Sequence, residues 1–385
     1  MFLQIHTLTS YAAALLNRDD AGLAKRIPFG NAERMRVSSQ CLKKHWRDEL
    51  HRNLDLPGGI RSRMFFEREV FRRVVANGIA EEVAKQMTEA LLKKLVQGGQ
   101  DEKNPLRLKQ PVLFGKPEAD YFVKLITECA KSGDDPVAIL DTRLKVEKGN
   151  LRALMKAAGQ DDLVSGIEGV LFGRFVTSDI LARTDAAVHV AHAFTVHPLS
   201  TEVDYFTVVD DLKEIHEDAG AAHAGDMELG AGLFYGYVVV DVPLLVSNLS
   251  GCDAKDWASQ PKETLTDARN VLTQLINAIA TVSPGAKLGS TAPYARAACV
   301  LLESGRTQPR TLANSYLKAL NLKSDPMQQA VDALGDHLAA IDGMYGCQEQ
   351  RFVSSSQDMS HLANIPAAPL AASVSAALDS IFGAG

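Results

Sequence analysis

The sequence predicts an α+β fold in which a sheet is interrupted by a helical segment and by a long hairpin. Short segments that alternate apolar and polar residues, as half-buried strands do, lie towards both ends of the chain. Between them, over about residues 60–180, the pattern is helical and strongly charged, as in FEREVFRRVVANGIAEEVAKQMTEALLKKLVQ. This order of strands and helices is typical of an α+β domain that carries an insertion.

The N-terminal elements follow from local patterns. FLQIHTL at 2–8 alternates and predicts a strand, whereas 17–32 contains turn residues throughout and predicts a loop. RMRV at 34–37 alternates again, and as a strand it would put Arg34 and Arg36 on one face. A helix is expected directly after this strand.

That helix has a predicted cap and a predicted buried face. Ser38 or Ser39 can cap it by accepting a hydrogen bond from a backbone N–H group. Leu42, Trp46 and Leu50 recur at every fourth position, so they form the stripe that faces the core. The helical pattern ends at PGG (57–59), where proline and glycine interrupt it.

An acidic linker separates two of the later strands. DAAVHVAHAFTVH at 185–197 and GLFYGYVVVDVPLLV at 232–246 both predict strands, and 198–230 between them has little apolar periodicity. A linker of this length inside a compact domain is usually functional or flexible. Further elements are expected as helices at about 260–281, 308–320 and 325–341, a strand at 296–303, and a weakly helical tail from 365.

Composition limits the class of protein. The chain has 385 residues and a net charge of −6, which argues against binding polyanions over the whole surface but allows a local basic groove. Its five cysteines form no CxxC pair and are odd in number, as expected of reduced thiols in a cytosol. No signal peptide and no apolar run of roughly 18 residues is present. We therefore predict a soluble cytoplasmic protein.

Candidate metal and catalytic residues are few. His189, His192 and His197 cluster in one segment, but the outer two lie too far apart along a strand to chelate one ion, so partly buried strand histidines are the favoured interpretation. The adjacent acid pairs Asp19–Asp20 and Asp210–Asp211 are more typical of caps or turns than of catalytic carboxylates. We predict no catalytic residue, no metal and no cofactor.

MRVSSQCLKKHWR at 35–47 is the strongest candidate site. A capped helix start offers N–H groups and a favourable dipole to anions. Neutral donors stand at this start, and bases follow one turn later; these residues are Ser38, Ser39, Gln40, Lys43, Lys44 and Arg47. Over 18–47 the other bases are Arg18, Lys25, Arg26, Arg34 and Arg36, against the acids Asp19, Asp20 and Glu33. The pattern indicates phosphate contacts without base readout; a solvated helix face is the alternative.

Two weaker signals follow. In GRFVTS, Gly173 allows close approach of the backbone, Arg174 supplies charge and Phe175 could stack on a base. A core phenylalanine beside an exposed arginine would give the same pattern. SPGAKLGST contains Lys287 and several glycines but lacks the ending of a P-loop, so a plain turn and a phosphate-binding loop both stay open.

Several segments together resemble one known family. IHTLTSYAAALLNRDDAGLAKRIPFGNAERMRVSSQCLKKHWR is similar to the opening of the CasC family, the CRISPR-RNA-binding backbone subunit of the type I-E Cascade complex. LFGRFVTSD, VHVAHAFTVHPLSTEVDYFTVVDDL, GAGLFYGYVVVDV and PGAKLGSTAPYA then follow in the family's order. The resemblance extends from residue 2 to about 295 and is least informative in 60–165 and in the C-terminal tail.

The resemblance implies a hand-shaped protein with a modified RNA-recognition-motif (ferredoxin-like) palm. The palm would comprise 1–59, 181–197 and 231–385, the helical fingers 60–180, and the β-hairpin thumb 198–230. It further implies that several copies form a helical filament on CRISPR RNA, kink it at every sixth nucleotide and present it for pairing with a target DNA strand. The implied partners are copies of itself, other Cascade subunits and a separate nuclease-helicase that cuts the target; no membrane is involved.

The resemblance also implies roles for residues. Ser38, Gln40, Lys43, Lys44 and Arg47 would lie on the guide backbone, and Phe175 would pack against a displaced base. Phe206, Thr207 and Val209 match thumb positions that wedge into the guide–target duplex, and Lys287 is a weaker match. The full expected RNA-binding set is Arg18, Lys25, Arg36, Ser38, Ser39, Gln40, Lys43, Lys44, Arg47, Gly173, Arg174, Phe175 and Lys287.

Two other functions stay open at this point. One is a metal-dependent RNA nuclease on a related fold, using His189, His192 or His197 with Asp210 or Asp211. The other is a free-standing single-strand binder, for which binding would be indifferent to sequence and no ordered assembly would form.

Overall fold

A computed structural model describes residues 1–133, 135–144, 154–155, 165–174, 184–208, 223–285, 288–321, 324–359 and 365–383. The chain divides into two compact units. The first comprises 1–53, 189–242 and 261–385, and the second comprises 54–188 and 243–260.

The strands are β1 Phe2–Ala14, β2 Arg26–Phe29, β3 Ala32–Val37, β4 Gly59–Ser62, β5 Val112–Gly115, β6 Val188–Val190, β7 Ala193–Thr195, β8 Thr201–Val208, β9 His223–Asp241, β10 Cys299–Gly305 and β11 Gln350–Ser355. Most were expected from alternation. However, β2 lies in a segment that was predicted as a loop, and β4 and β5 lie in one predicted to be all helical. β11 was not predicted.

The α-helices are α1 Ser39–Asn53, α2 Arg72–Ala76, α3 Glu81–Leu95, α4 Lys116–Lys131, α5 Pro136–Arg143, α6 Gly166–Phe172, α7 Val242–Ser250, α8 Lys262–Thr281, α9 Leu288–Thr291, α10 Pro326–Tyr345 and α11 Leu370–Phe382. A π-helical turn, Phe66–Phe71, leads into α2, and 3-10 helices form at Ala254–Ser259 and Ala313–Tyr316. The helix predicted at 308–320 is therefore reduced to one 3-10 turn. None of the described helices is both long and apolar enough to cross a bilayer.

The first unit is built on an antiparallel sheet with the strand order β11-β10-β1-β9-β7-β3-β2, and β6 and β8 pair with β9 outside this path. β1 lies at its centre, because Phe2 to Leu8 pair with β10 on one side and with β9 on the other. The mixture of this sheet with helices confirms the α+β class.

Helices cover both faces of this sheet. On one face Ile5, Trp46 and Ile279 line a small cavity between β1, α1 and α8, and Ser304 of β10 bonds to Ser380 of α11 at 2.7 Å. On the other face Leu8, Tyr235 and Leu301 form a core with Tyr316 and with Val331 and Leu334 of α10. The odd and even positions of each strand therefore face different helices.

The longest strand, β9, serves two purposes. Its second part pairs with β1, from Gly230 opposite Ala14 to Asp241 opposite Phe2. Its first part pairs with β8, from His223 opposite Val208 to Gly230 opposite Thr201. The β8–β9 pair thus continues from the sheet as a two-stranded arm.

The second unit has its own apolar core and a small sheet. Phe65, Phe66 and Phe114 pack with Phe122 and with one face of α3, and β4 pairs with β5 in antiparallel register. Gly59 and Gly115 are opposite each other at one end of this pairing. The strand pair was missed because four-residue strands carry too few positions to show a period.

Candidate nucleic-acid interface

The start of α1 is capped as the sequence predicts. Ser38 is the capping residue: its Oγ accepts a hydrogen bond from the Cys41 N–H at 3.3 Å, and its carbonyl accepts the first helical bond, from Leu42 at 3.1 Å. The Ser38 N–H is itself held by Asn17 Oδ1 at 2.9 Å. Gln40 is exposed, and its backbone N–H makes no hydrogen bond to any described residue. This N–H group is therefore open to an external acceptor.

A histidine from another part of the sheet completes this helix start. His192 lies between β6 and β7, and its Nδ1 accepts a hydrogen bond from the Ser39 N–H at 3.2 Å. Arg36 Nη1 lies 3.3 Å from the same nitrogen, while Arg36 Nε donates to the carbonyl of Arg26 at 3.2 Å. β3, α1 and the β6–β7 turn thus meet at one point.

Positive charge is concentrated around this point. Across the described residues no carboxylate forms an ion pair with Arg18, Lys25 or Arg36. Partial burial lowers the pKa of His192, and the nearby charges of Arg36, Lys25 and Lys43 lower it further. We call Arg18, Lys25, Arg36 and Lys43, with His192, the basic cluster. Because Arg18, Lys25 and Arg36 have no carboxylate partner among the described residues, the basic cluster favours binding of an anion.

Other predicted bases are partly neutralised. Lys44 Nζ lies 2.9 Å from Asp48 Oδ2, and Arg47 Nη2 lies 3.5 Å from Asp48 Oδ1. Arg26 forms ion pairs with Glu228 and, at 3.9 Å, with Glu33. Asp48 lies one position beyond the 18–47 segment, so the charges of that segment did not include it.

Arg34 does not share a phosphate-facing surface with Arg36, which corrects the sequence interpretation. Its side chain is buried, and its guanidinium donates to the carbonyls of Thr195 at 3.0 Å and Tyr316 at 2.9 Å. Its Nε has no partner among the described residues. Arg34 thus ties β3 to the layer that contains Tyr316.

Arg174 and Gly173 have structural roles within the second unit. The Arg174 side chain is buried, and its Nη1 lies 2.7 Å from both carboxylate oxygens of Glu118. Gly173 has φ 75°, and a Cβ there would lie 2.8 Å from the Ala186 nitrogen and the Thr184 oxygen. The predicted surface charge of Arg174 is therefore an internal ion pair, and the close approach at Gly173 is to its own chain. Phe175 and Lys287 lie outside the described residues.

The β8–β9 arm carries the predicted thumb residues. Phe206 stands opposite Gly225, where a Cβ would lie 2.8 Å from the phenyl ring, so the ring covers the glycine. Thr207 is exposed, and Val209 lies outside the described residues. The most exposed apolar side chains of the arm are Val203, 62% exposed, and Tyr205, 67% exposed. Alternation along β8 places these two together on the face opposite Phe206.

The three histidines of the predicted cluster make different contacts in the described structure. The two ring nitrogens of His197 are occupied, Nδ1 by the Pro198 carbonyl at 2.7 Å and Nε2 by the Leu233 N–H at 3.0 Å. Within the described ranges no group of three His, Cys, Asp or Glu side chains could hold a metal ion. Asp210 and Asp211 lie outside those ranges. Asp19 accepts bonds from the Ala21 and Leu23 N–H groups at 2.9 Å each, which is the turn role expected of it.

The sheet face that carries His6 and Tyr235 is covered by other parts of the chain. His6 stacks on Tyr237 with ring centroids 4.9 Å apart, and Tyr235 packs on Tyr316 at 5.4 Å. The Tyr235 hydroxyl accepts a bond from the Leu312 N–H at 3.0 Å. The 3-10 helix and α10 thus cover the ring stack.

The chain is similar to one protein family and to chains of solved structures. The family described as CT1975-like protein matches residues 3–381. A chain from a solved structure titled "CRISPR RNA-guided surveillance complex, pre-nicking" is similar with a TM-score of 0.79 and 24% identity, covering 99% of this chain and 100% of that chain. A second, titled "CRISPR RNA-guided surveillance complex", has a TM-score of 0.59 and 20% identity with the same coverage. At these identities the two likenesses show a shared fold.

No curated protein matches the chain. The family match, by contrast, spans nearly every residue, from the first strand to the last helix. The protein belongs to the family of CT1975-like proteins.

Proposed function

We propose that this protein is an RNA-binding subunit of a CRISPR RNA-guided surveillance complex, and more specifically a CasC-type backbone subunit of a type I-E Cascade. The observation that carries the proposal is the basic cluster at the start of α1, where Arg18, Lys25 and Arg36 lack internal counterions in the described structure. The similarity to chains of two CRISPR RNA-guided surveillance complexes supports the broader assignment, to a surveillance complex.

In this proposal the sheet of the first unit is a modified RNA-recognition-motif palm. The order β10-β1-β9-β7, with α1 and α8 on one face, supports a ferredoxin-like arrangement. RNA-recognition motifs stack bases on aromatic side chains of the open sheet face. Here the equivalent face is covered at Tyr235 by Leu312 and Tyr316. The guide would therefore bind beside the sheet, at the basic cluster.

The β8–β9 arm would act as the thumb. Val203 and Tyr205 are exposed apolar groups on a strand that also carries Glu202 and Asp204. Carboxylates are repelled by phosphates, so the arm would meet nucleic acid through its apolar side chains. With the thumb inserted at every sixth nucleotide, successive copies would form a helical filament and display the guide to a target DNA strand.

We propose no catalytic activity for this subunit; a separate nuclease-helicase would cut the target. The rival function, a metal-dependent RNA nuclease, would need histidine ligands, and His197 already uses its ring nitrogens internally.

The test is purification of the tagged protein from its own cells under native conditions. We expect an RNA of uniform length and other subunits to co-purify, and Lys25→Ala combined with Arg36→Ala to lose the RNA. Lys85→Ala, an exposed lysine in α3, is the control and should retain it. A wild-type protein free of RNA, or one carrying RNA of random length, would overturn the proposal.

A further inference from the structure

His192 makes two contacts through one nitrogen. Its Nδ1 receives the Ser39 N–H at 3.2 Å and faces Arg36 Nη1 at 3.3 Å. A backbone N–H and a guanidinium can only donate, so Nδ1 must be the unprotonated acceptor. The neutral ring then carries its proton on Nε2.

The other side of the ring is available. His192 is exposed, and within the described residues its Nε2 makes no hydrogen bond. The charged groups that face it are all basic: Arg36 from β3, Lys25 from the loop before β2, and Lys43 from α1. Each of them opposes a further positive charge on the imidazole and adds to the partial burial that is the larger cause of its lowered pKa.

Arg36 is held in place from two sides. Its Nε donates to the Arg26 carbonyl at 3.2 Å, and its Nη1 is directed at the imidazole. With two of its nitrogens fixed by neutral acceptors, the guanidinium keeps its full charge and presents its remaining N–H groups in one orientation. A fixed donor loses less conformational entropy when a ligand binds.

We propose that His192 is a positioning residue of the RNA site: its Nδ1 fixes Arg36 against the first turn of α1, and its Nε2–H donates to a phosphate oxygen of single-stranded RNA. This inference rests on the proposed function and adds a residue that the sequence indicated only as a metal candidate. His192 acts as a neutral hydrogen-bonding group, so its contribution does not require protonation.

A double-mutant cycle tests the coupling. Affinity for oligouridine is measured for wild type, His192→Phe, Arg36→Ala and the double variant of the full chain. We expect His192→Phe to weaken binding by about three- to tenfold, the range for loss of one or two hydrogen bonds. Because the two residues act together, their effects should not multiply. The loss of affinity in the double variant should be at least about threefold smaller than the product of the two single losses.

The conservative variant separates positioning from folding. His192→Asn places an amide oxygen near the Nδ1 position but has no group at the Nε2 position, so it should recover only the part of the affinity that comes from fixing Arg36. Thermal melting checks that each variant is folded, and His192→Gln replaces His192→Phe if the latter does not fold. A two-bond ¹H–¹⁵N NMR correlation provides a readout without RNA: at pH 7 the His192 ring should show the Nε2–H tautomer.

The outcomes distinguish the two proposals. If wild type fails to bind oligouridine, the proposed function and this inference both fail. If wild type binds and Arg36→Ala weakens binding, but His192→Phe binds as wild type does, this inference alone fails. Strictly multiplicative effects in the cycle, or an Nδ1–H tautomer, would also overturn it.

Discussion

Glu303 is the centre of a buried ionic network at the middle of the sheet. Its carboxylate accepts hydrogen bonds from Arg310 at 2.7 and 2.8 Å and from Arg351 at 2.8 Å, and it lies 3.1 Å from His6 Nε2. Burial alone would raise the pKa of Glu303, but the bonds from Arg310 and His6 hold it well below its usual range. This carboxylate is thus shared by Arg310, Arg351 and His6, and of the two arginines Arg351 also pairs with Asp342.

Glu303→Ala should therefore be strongly destabilising. Removing one partner of a buried ion pair costs about 3–5 kcal/mol, because the remaining charges are left without compensation. Urea denaturation measures the loss. Asp379→Ala is the matched control, since it breaks the half-exposed Arg269–Asp379 pair of the same unit and should cost about 1 kcal/mol or less. Equal losses in the two variants would contradict this account of the network.

The contribution of each base at the helix start to RNA binding should depend on whether it already has an ion-pair partner, and not on its position in the sequence. Lys25 lacks an ion-pair partner in the described structure, whereas Lys44 pairs with Asp48. On single-stranded RNA each lost phosphate contact reduces the log–log salt slope by roughly 0.7. We expect this reduction for Lys25→Ala and a smaller one for Lys44→Ala, measured by fluorescence anisotropy over a salt series. The reverse ranking would place RNA on the exposed face of α1.

Histidines should make the fold sensitive to mild acid. Burial lowers the pKa of His6, and burial is also the main cause of the lower pKa of His197. In the unfolded chain these groups bind protons near pH 6.5. Below that pH the unfolded state holds more protons, so the free energy of unfolding should fall, by up to about 1.4 kcal/mol per pH unit for each histidine. Urea denaturation at about pH 7.5, 6.5 and 5.5 measures it; constant stability would contradict the prediction.

The β8–β9 arm is anchored at its base. Glu228 accepts from the Ala24 N–H at 2.7 Å and pairs with Arg26, and Leu199 donates to the Glu33 carbonyl at 2.8 Å. Gly230 leaves room for the Met35 side chain. These contacts join the arm to β2 and β3, so its outer part is expected to be dispensable for folding.

Replacing residues 204–227 by Asn-Gly tests this directly. Val203 and Glu228 are directly opposed, which is the arrangement that a two-residue type I′ turn connects. The shortened chain should melt cooperatively within about 4 °C of wild type and bind oligouridine normally, yet form no regular filament on a guide. Differential scanning calorimetry and electron microscopy provide the two readouts. Loss of cooperative melting would show that the arm belongs to the core.

At the scale of the whole molecule, an acidic protein can still bind a polyanion. The net charge is −6, yet Arg18, Lys25 and Arg36 lie around one helix start without ion-pair partners in the described residues. At physiological salt the Debye length is about 8 Å, so distant carboxylates are screened and the local charges dominate. A short local site suffices if each copy holds only a short piece of guide.

The absence of catalysis is also testable on the intact chain. Labelled single-stranded RNA incubated with purified protein and Mg²⁺ or Mn²⁺ should stay intact, because we assign no residue a catalytic role. Cleavage that depends on the metal and disappears in Asp210→Ala would instead establish the nuclease function. The same gel with a metal chelator added is the control for contaminating nucleases.

Local sequence patterns were enough to predict the α+β class, most strands of the sheet and the capped start of α1. These follow from local rules: alternation over several residues and a serine at the cap, with Ser38 now bonded to Cys41. Short elements such as β4 and β5 were missed because four residues hardly define a period.

The tertiary structure sets which charged side chains can meet a ligand. Arg34 and Arg36 both lie on β3, but Arg34 is buried against Thr195 and Tyr316, whereas Arg36 reaches His192. Arg174 is neutralised by Glu118, a residue 56 positions away. Periodicity states which side chains share a face; what covers that face is set by partners that are distant in the chain. The physical reason is that the free energy of a charge depends on its burial and its neighbours, which a local pattern does not contain.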